Sequence, residues 1–322
     1  GGSIRMPSCW CGVYGLKPTY GLVPYTGIFP IELTLDHTGP MARTVANVAL
    51  LLEVTAGSDG LDPRQRAGLK GEAYTRALSG DVRGLRLGIV QEGFGWDGLS
   101  EKDVDACVTE AAHAFVRLGA EVKTVSIPWH RDGRHVWSAI AVEGPTMLMV
   151  LGNGMGTNWK GHYTTSLLDA YARGRLTRAN DLSETVKMVV LLGRYMQDHY
   201  HGRYYAKAQN LARSLTAAYD AVLRDCDLLV MPTLPLKATR IPPATASREE
   251  YVDRALEMLP NTCPFDVTGH PAMNVPCGML EGLPVGMMLV GRIGDDATVL
   301  RAADTFQQQI FAAPAPPAPR RS

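Results

Sequence analysis

The sequence has no run of five or six like charges, no apolar stretch long enough to cross a membrane, and no basic segment leading into an apolar one at its start. Its 32 basic and 32 acidic side chains cancel, so neither a nucleic-acid backbone nor an anionic membrane surface is favoured as a partner. The six cysteines (Cys9, Cys11, Cys107, Cys226, Cys263 and Cys277) are scattered and lack zinc-ligand spacing. The paired histidines, His130 with His135 and His199 with His201, have no carboxylate or cysteine at a metal-ligand interval, and surface or capping positions are expected for them. These absences leave no case for a metal centre or a disulfide framework. Reduced, partly buried thiols in the cytoplasm are expected instead. An internal repeat is also missing. So is an opening Met, which leads to the expectation that the numbering begins inside a longer protein.

What is present is ample apolar material. At 322 residues and 46% hydrophobic, the chain can bury a large core. The first forty residues are rich in Gly, Pro and aromatics and show no sustained period, so turns and short strands are expected there. Thr44 can cap a helix through ANVALLLEVTAG, with Gly57 as its stop. LRLGIV at 85–90, a helix over about 100–118 ended by Gly119, and a strand within EVKTVSIP form a β-α-β unit. Helical spacing dominates 134–224, and DLLVMP at 227–232 restores a buried strand. AMNVPCG and LPVGMMLVG read as strands turned at Glu281-Gly282, before an amphipathic helix through DDATVLRAADTFQQQ. The alternation implies an α/β fold, a central sheet covered on both faces by helices. One domain over 1–311 is expected, with a disordered Pro/Ala-rich tail over 312–322.

Gly1-Gly2-Ser3 supplies a backbone free to take positive φ, followed by a hydroxyl at the point of a turn. Backbone N–H groups in such a turn can converge on an oxyanion while the serine oxygen attacks a carbonyl. Alone, the tripeptide is a common flexible turn. Its surroundings decide otherwise. GGSIRMPSCWCGVYGLKPTYGLVPYTG, LDHTGPMARTVANVALLLEVTAGSDGLDPR, DLLVMPTLP, NTCPFDVTGHPAMNVPCG and GLPVGMMLVGR together resemble the amidase-signature family, colinearly and over nearly the whole chain.

The resemblance implies that Ser3 is the acylated nucleophile and that the backbone amides of Gly1, Gly2 and Ser3 belong to the oxyanion hole. It also implies a central mixed β-sheet whose N-terminal part lies before this chain. The family's base is a neutral lysine acting through a second serine held by a cis peptide bond. Both precede the Gly-Gly-Ser segment in the family, so little turnover is expected of these residues alone. Lys17 matches a family lysine outside this triad, and a structural or surface role is expected of it. Arg5 is expected to anchor the turn through carboxylate or carbonyl contacts.

Leu259 is expected to end a helix just before the NTCPFDVTGHP loop, and the resemblance further implies that the loop region matching 259–266 looks onto the acyl pocket. Trp137 and Leu259 are candidates for its lining, with plain core packing as the alternative. A neutral small-molecule amide is the implied substrate, aromatic or short aliphatic, or a hydrazide, with no metal or organic cofactor. The segment PYTGIFPIELTLDH looks more like free-standing bacterial amidases than the glutaminase component of the tRNA amidotransferases, which stays as the alternative beside a non-catalytic fragment. A homodimer is the expected assembly.

Two competing constellations are weaker. Ser3 with Asp36 and His37 could form a Ser-His-Asp triad, but adjacent side chains on a strand diverge, so Asp36 could not easily orient His37. Cys9 and Cys11 lack the C-x-x-C spacing of a redox pair and are expected to pack beneath the turn.

Overall fold

Leu228 and Val230 point to one side of strand β5 (Leu228–Pro232) and Leu229 and Met231 to the other, and all four are fully buried. A strand buried on both faces needs cover on both. The computed structural model, which describes residues 1–322 except 67, 313 and 315–322, supplies it. On one side lie α2 (Val45–Thr55), α3 (Lys102–Ala114) and α10 (Asp296–Gln309), whose apolar faces pack with Leu228 and Val230. On the other lie α7 (Arg203–Leu223) and α9 (Cys263–Thr268), which bring Leu215, Tyr219 and Phe265 against Leu229 and Met231.

The sheet has seven strands in the order β2-β1-β6-β7-β5-β3-β4, with β1 Tyr14–Lys17, β2 Met41–Ala42, β3 Arg86–Val90, β4 Glu121–Val125, β6 Ala272–Leu280 and β7 Leu283–Gly291. It is mixed. β3 runs parallel to β4 and to β5, while β5–β7, β6–β7, β1–β6 and β1–β2 are antiparallel. The β3-α3-β4 unit and the hairpin turned at Glu281-Gly282, both with positive φ, lie where the sequence pattern puts them.

Beyond the sheet, α4 (Trp129–Pro145), α5 (Thr165–Thr177), α6 (Glu184–Tyr200) and α8 (Arg248–Leu256) build a helical layer. A π-helical turn, Thr146–Leu151, follows directly on Pro145. No described helix is long and apolar enough to cross a membrane.

Three local expectations need correction. The opening segment contains a helix, α1 (Arg5–Trp10), where turns and strands were expected. Pro7 sits in its first turn, where a missing N–H costs no intrahelical bond, so the proline does not interrupt it. The 261–271 region likewise holds α9 rather than a plain loop, and Leu259 lies three residues beyond the end of α8. His130, expected at the surface, is fully buried: its Nδ1 lies 2.7 Å from the Tyr219 hydroxyl and its Nε2 3.0 Å from Asn261 Oδ1. Burial pulls its pKa down to about 4. Most of the expected tail, from 315 onward, lies outside the described residues.

Candidate active site

Gly2 has φ +131°, a conformation that a residue with a Cβ rarely adopts, and an added Cβ would also collide with the Thr262 side chain. At Gly1 a Cβ would sit 2.6 Å from the Trp137 ring. The glycines therefore let the chain pass between α4 and the turn leading into α9. Three bonds hold it there. Met6 N–H donates to Gly2 O at 2.8 Å, Thr262 Oγ1 donates to Gly1 O at 2.8 Å, and Ser8 Oγ donates to Ile4 O at 2.6 Å. Ser3 sits at the exposed point of this turn, immediately before α1.

Ser3, Gly1 and Gly2 line a cavity of about 280 Å³. Its apolar wall comes from Trp137, Ala141 and Pro145 on α4, Met149 on the π-turn, and Val186 and Val189 on α6. Ile31 and Leu35 close it from the loop before β2. The polar side carries Arg5, Lys17, His37 and Asp266, together with Tyr25, Glu32 and Asp36. Of the two pocket candidates, Trp137 lines this cavity. Leu259 does not: it is buried, and its carbonyl accepts from Thr262 N–H at 3.1 Å, so it braces the residue that braces Gly1.

Behind Ser3 the polar groups are dry. Arg5 is fully buried, donating from Nη2 to Asp266 Oδ1 at 3.0 Å. Burial lowers its pKa and the Asp266 charge opposes that shift. Lys17, on β1, is buried against the cavity rather than at the surface, and its Nζ donates to Pro18 O at 3.0 Å. Burial first, then the neighbouring Arg5 charge, pull its pKa down to about 7. The pattern around GLKPT gave no sign of this, because an isolated lysine carries no record of what packs over it.

His37 Nδ1 lies 2.8 Å from Leu35 O, an acceptor, which assigns the proton to Nδ1. Burial and the Lys17 charge hold its pKa well below the usual histidine value, so the ring is neutral. Asp36 turns away, accepting from Ile31 N at 2.7 Å and Glu32 N at 3.1 Å, and burial raises it to about 6. The two are not a relay. His37 faces Asp266 instead, at 3.7 Å. Cys9 is buried beneath the turn, whereas Cys11 is exposed. Among the described residues no group of three or more His, Cys, Asp or Glu is placed to hold a metal ion.

This arrangement, a serine on a glycine-dependent turn facing a half-apolar cavity over buried charge, can be set against known proteins. The sequence profile of the family described as Amidase matches residues 1–300. An enantioselective amidase of Rhodococcus rhodochrous is 48% identical over 320 residues, 98% of this chain and 61% of that protein. The A component of the glutamyl-tRNA(Gln) amidotransferase of Lysinibacillus sphaericus is 35% identical over 312 residues, 96% of this chain and 61% of that protein. Among solved structures, 6-aminohexanoate cyclic dimer hydrolase superposes with a TM-score of 0.80 at 25% identity, over 98% of this chain and 64% of that one. The corresponding glutamyl-tRNA(Gln) amidotransferase component of Thermotoga maritima superposes at 0.71 and 27% identity, over 96% of this chain and 60% of that one. The chain thus spans 60% to 64% of the length of these relatives.

Proposed function

Because this chain belongs to the amidase-signature family, we propose that it carries the nucleophile of a serine amidase that hydrolyses neutral carboxylic amides to acid and ammonia. The observation that carries the reading is the Gly1-Gly2-Ser3 turn, whose φ of +131° at Gly2 presents Ser3 to the 280 Å³ cavity. Ser3 Oγ attacks the carbonyl carbon and gives up its proton. The oxyanion forms against backbone N–H groups of the turn, the C–N bond breaks, and the nitrogen takes a proton to leave as ammonia. Water then hydrolyses the acyl ester and frees the acid. The family's lysine and bridging serine are the proposed route for the Ser3 proton.

The apolar wall of Trp137, Pro145, Met149 and the α6 valines supports an aromatic or short aliphatic acyl group. The relation to an enantioselective amidase at 48% identity favours a free-standing amidase over the amidotransferase component at 35%. Six free cysteines fit a reducing compartment such as the cytoplasm. The expectation that these 322 residues alone are inactive draws no support from the comparisons, and an assay of the chain for ammonia release decides it.

A serine-directed fluorophosphonate, followed by mass spectrometry of the adduct, tests the mechanism. Labelling at Ser3, lost in Ser3→Ala, is the expected result; an adduct elsewhere refutes the assignment. A panel of aryl amides, aliphatic amides and hydrazides then assigns the substrate. Glutamine hydrolysis that appears only with partner proteins present would instead favour the amidotransferase reading.

A further inference from the structure

Helix α6 (Glu184–Tyr200) has one buried residue, Gly193. Its apolar stripe Val186, Val189, Val190 and Gly193 follows the i, i+3, i+4, i+7 spacing of a single helix face. A stripe of that kind normally fills a core. Here the three valines are only half-buried, because they face the cavity that holds Ser3, and only Gly193 meets solid packing. A Cβ at Gly193 would collide with Thr146 Oγ1 and lie 2.5 Å from the backbone oxygen of Val142. Thr146 Oγ1 closes the contact by reaching Val142 O at 3.0 Å and Val189 O at 3.4 Å. α6 is therefore seated on α4 and the π-turn at Gly193 and, one turn on, through Gln197 Nε2 donating to Glu143 Oε2 at 2.6 Å, while its N-terminal half lines the cavity as a wall.

From this geometry we infer that α6 is the size gauge of the site: Val189 and Val190 set the largest acyl group accepted, and the Gly193–Thr146 clamp sets how far the wall stands from Trp137. The inference rests on the amidase reading for its substrate class, neutral primary amides of graded acyl size. Its physical content is steric. The facing wall on α4, Trp137 with Ala141 and Pro145, repeats every four residues and is fixed by the packing of Gly133 against Pro264 below it. On the α6 side the wall is positioned by the Gly193–Thr146 contact and the Gln197–Glu143 hydrogen bond, so the cavity width depends on how α6 seats on α4 there. Removing methyl groups from the stripe deepens the cavity. Adding one at Gly193 drives α6 outward, since backbone cannot yield as a flexible side chain would.

The test uses a series from acetamide through branched and aryl amides, read both as kcat/KM and as equilibrium binding of the same amides to Ser3→Ala. Val189→Ala and Val190→Ala are expected to raise the largest members relative to acetamide by about tenfold or more, the scale of a methylene in an apolar pocket. Val189→Phe is expected to lower them relative to acetamide by a similar factor. Gly193→Ala should shift the profile in the same direction as the truncations, and the valine variants stand without it if that protein does not fold. Leu191→Ala, on the exposed side at 72%, serves as control. A wild-type enzyme that turns amides over with a size profile unmoved by the valine variants, or moved equally by Leu191→Ala, overturns the inference. Size-dependent binding that follows the variants without any turnover would sustain the gauge and refute the amidase reading instead.

Discussion

The carboxylate of Asp266 accepts a hydrogen bond from the buried guanidinium of Arg5 at 3.0 Å, across 261 residues of chain. Arg5 begins the helix that follows Ser3, and Asp266 lies on the short helix that follows Thr262. The pair thus ties the nucleophile turn to the segment whose threonine holds Gly1.

Arg5→Met is expected to leave Asp266 short of its partner in a dry site and to cost about 3–5 kcal/mol, the usual consequence of breaking a buried ion pair from one side. Urea denaturation followed by far-UV circular dichroism measures it. A loss below about 1 kcal/mol would mean that water or another donor replaces the guanidinium.

Thr262→Val removes the hydrogen bond to Gly1 O while keeping the shape of the side chain. Stability should fall by only about 1 kcal/mol. The rate of fluorophosphonate labelling at Ser3 should fall more, about tenfold or beyond, because a small displacement of a reacting group is costly. Thr262→Ser, which keeps the hydroxyl, should restore most of the rate. Equal rates in both variants would detach the turn geometry from Thr262.

Lys17 gives a pH dependence whose sign can be worked out. Its folded pKa, about 7, lies below the ordinary 10.5, so between these values the unfolded chain holds a proton that the folded chain does not. Stability should therefore rise with pH from about 7, by about 1.4 kcal/mol per unit from this group. The buried thiols of Cys9 and Cys263, raised to about 12 from 9.0, reverse the trend once unfolded thiols ionise. Comparing wild type with Lys17→Met between pH ~7 and ~8.5 isolates the lysine, and the variant should show the flatter profile.

His130 acts on the acid side. Its folded pKa of about 4 lies below the ordinary 6.5, so its contribution is present above pH 6.5 and is lost as pH falls toward 4. Thermal unfolding from pH 7 to 4 should show a shallower fall in His130→Gln than in wild type, once the lower starting stability is subtracted. Parallel curves would mean that His130 titrates normally and that the network of Tyr219 and Asn261 opens to water.

Elements whose signals are local were legible in the sequence. Thr44 caps α2, with Asn47 N–H donating to its Oγ1 at 3.2 Å. The hairpin of β6 and β7, the β3-α3-β4 unit and α10 follow from periodicity and turn residues, whereas Ser3 stands out only through the family resemblance of the segments around it. Packing settled everything that depends on what covers a residue. His130 and Lys17 are ordinary polar letters until Tyr219 and Asn261 close over one and Arg5 and Asp266 surround the other. α1 formed across Pro7 because its first turn needs no N–H there, and Leu259 is buried away from the cavity lining, three residues past the end of α8. Periodicity records which face of an element is apolar. It does not record whether that face meets a core, as in α10, or an open cavity, as in α6, because the spacing is the same and only the opposing element differs.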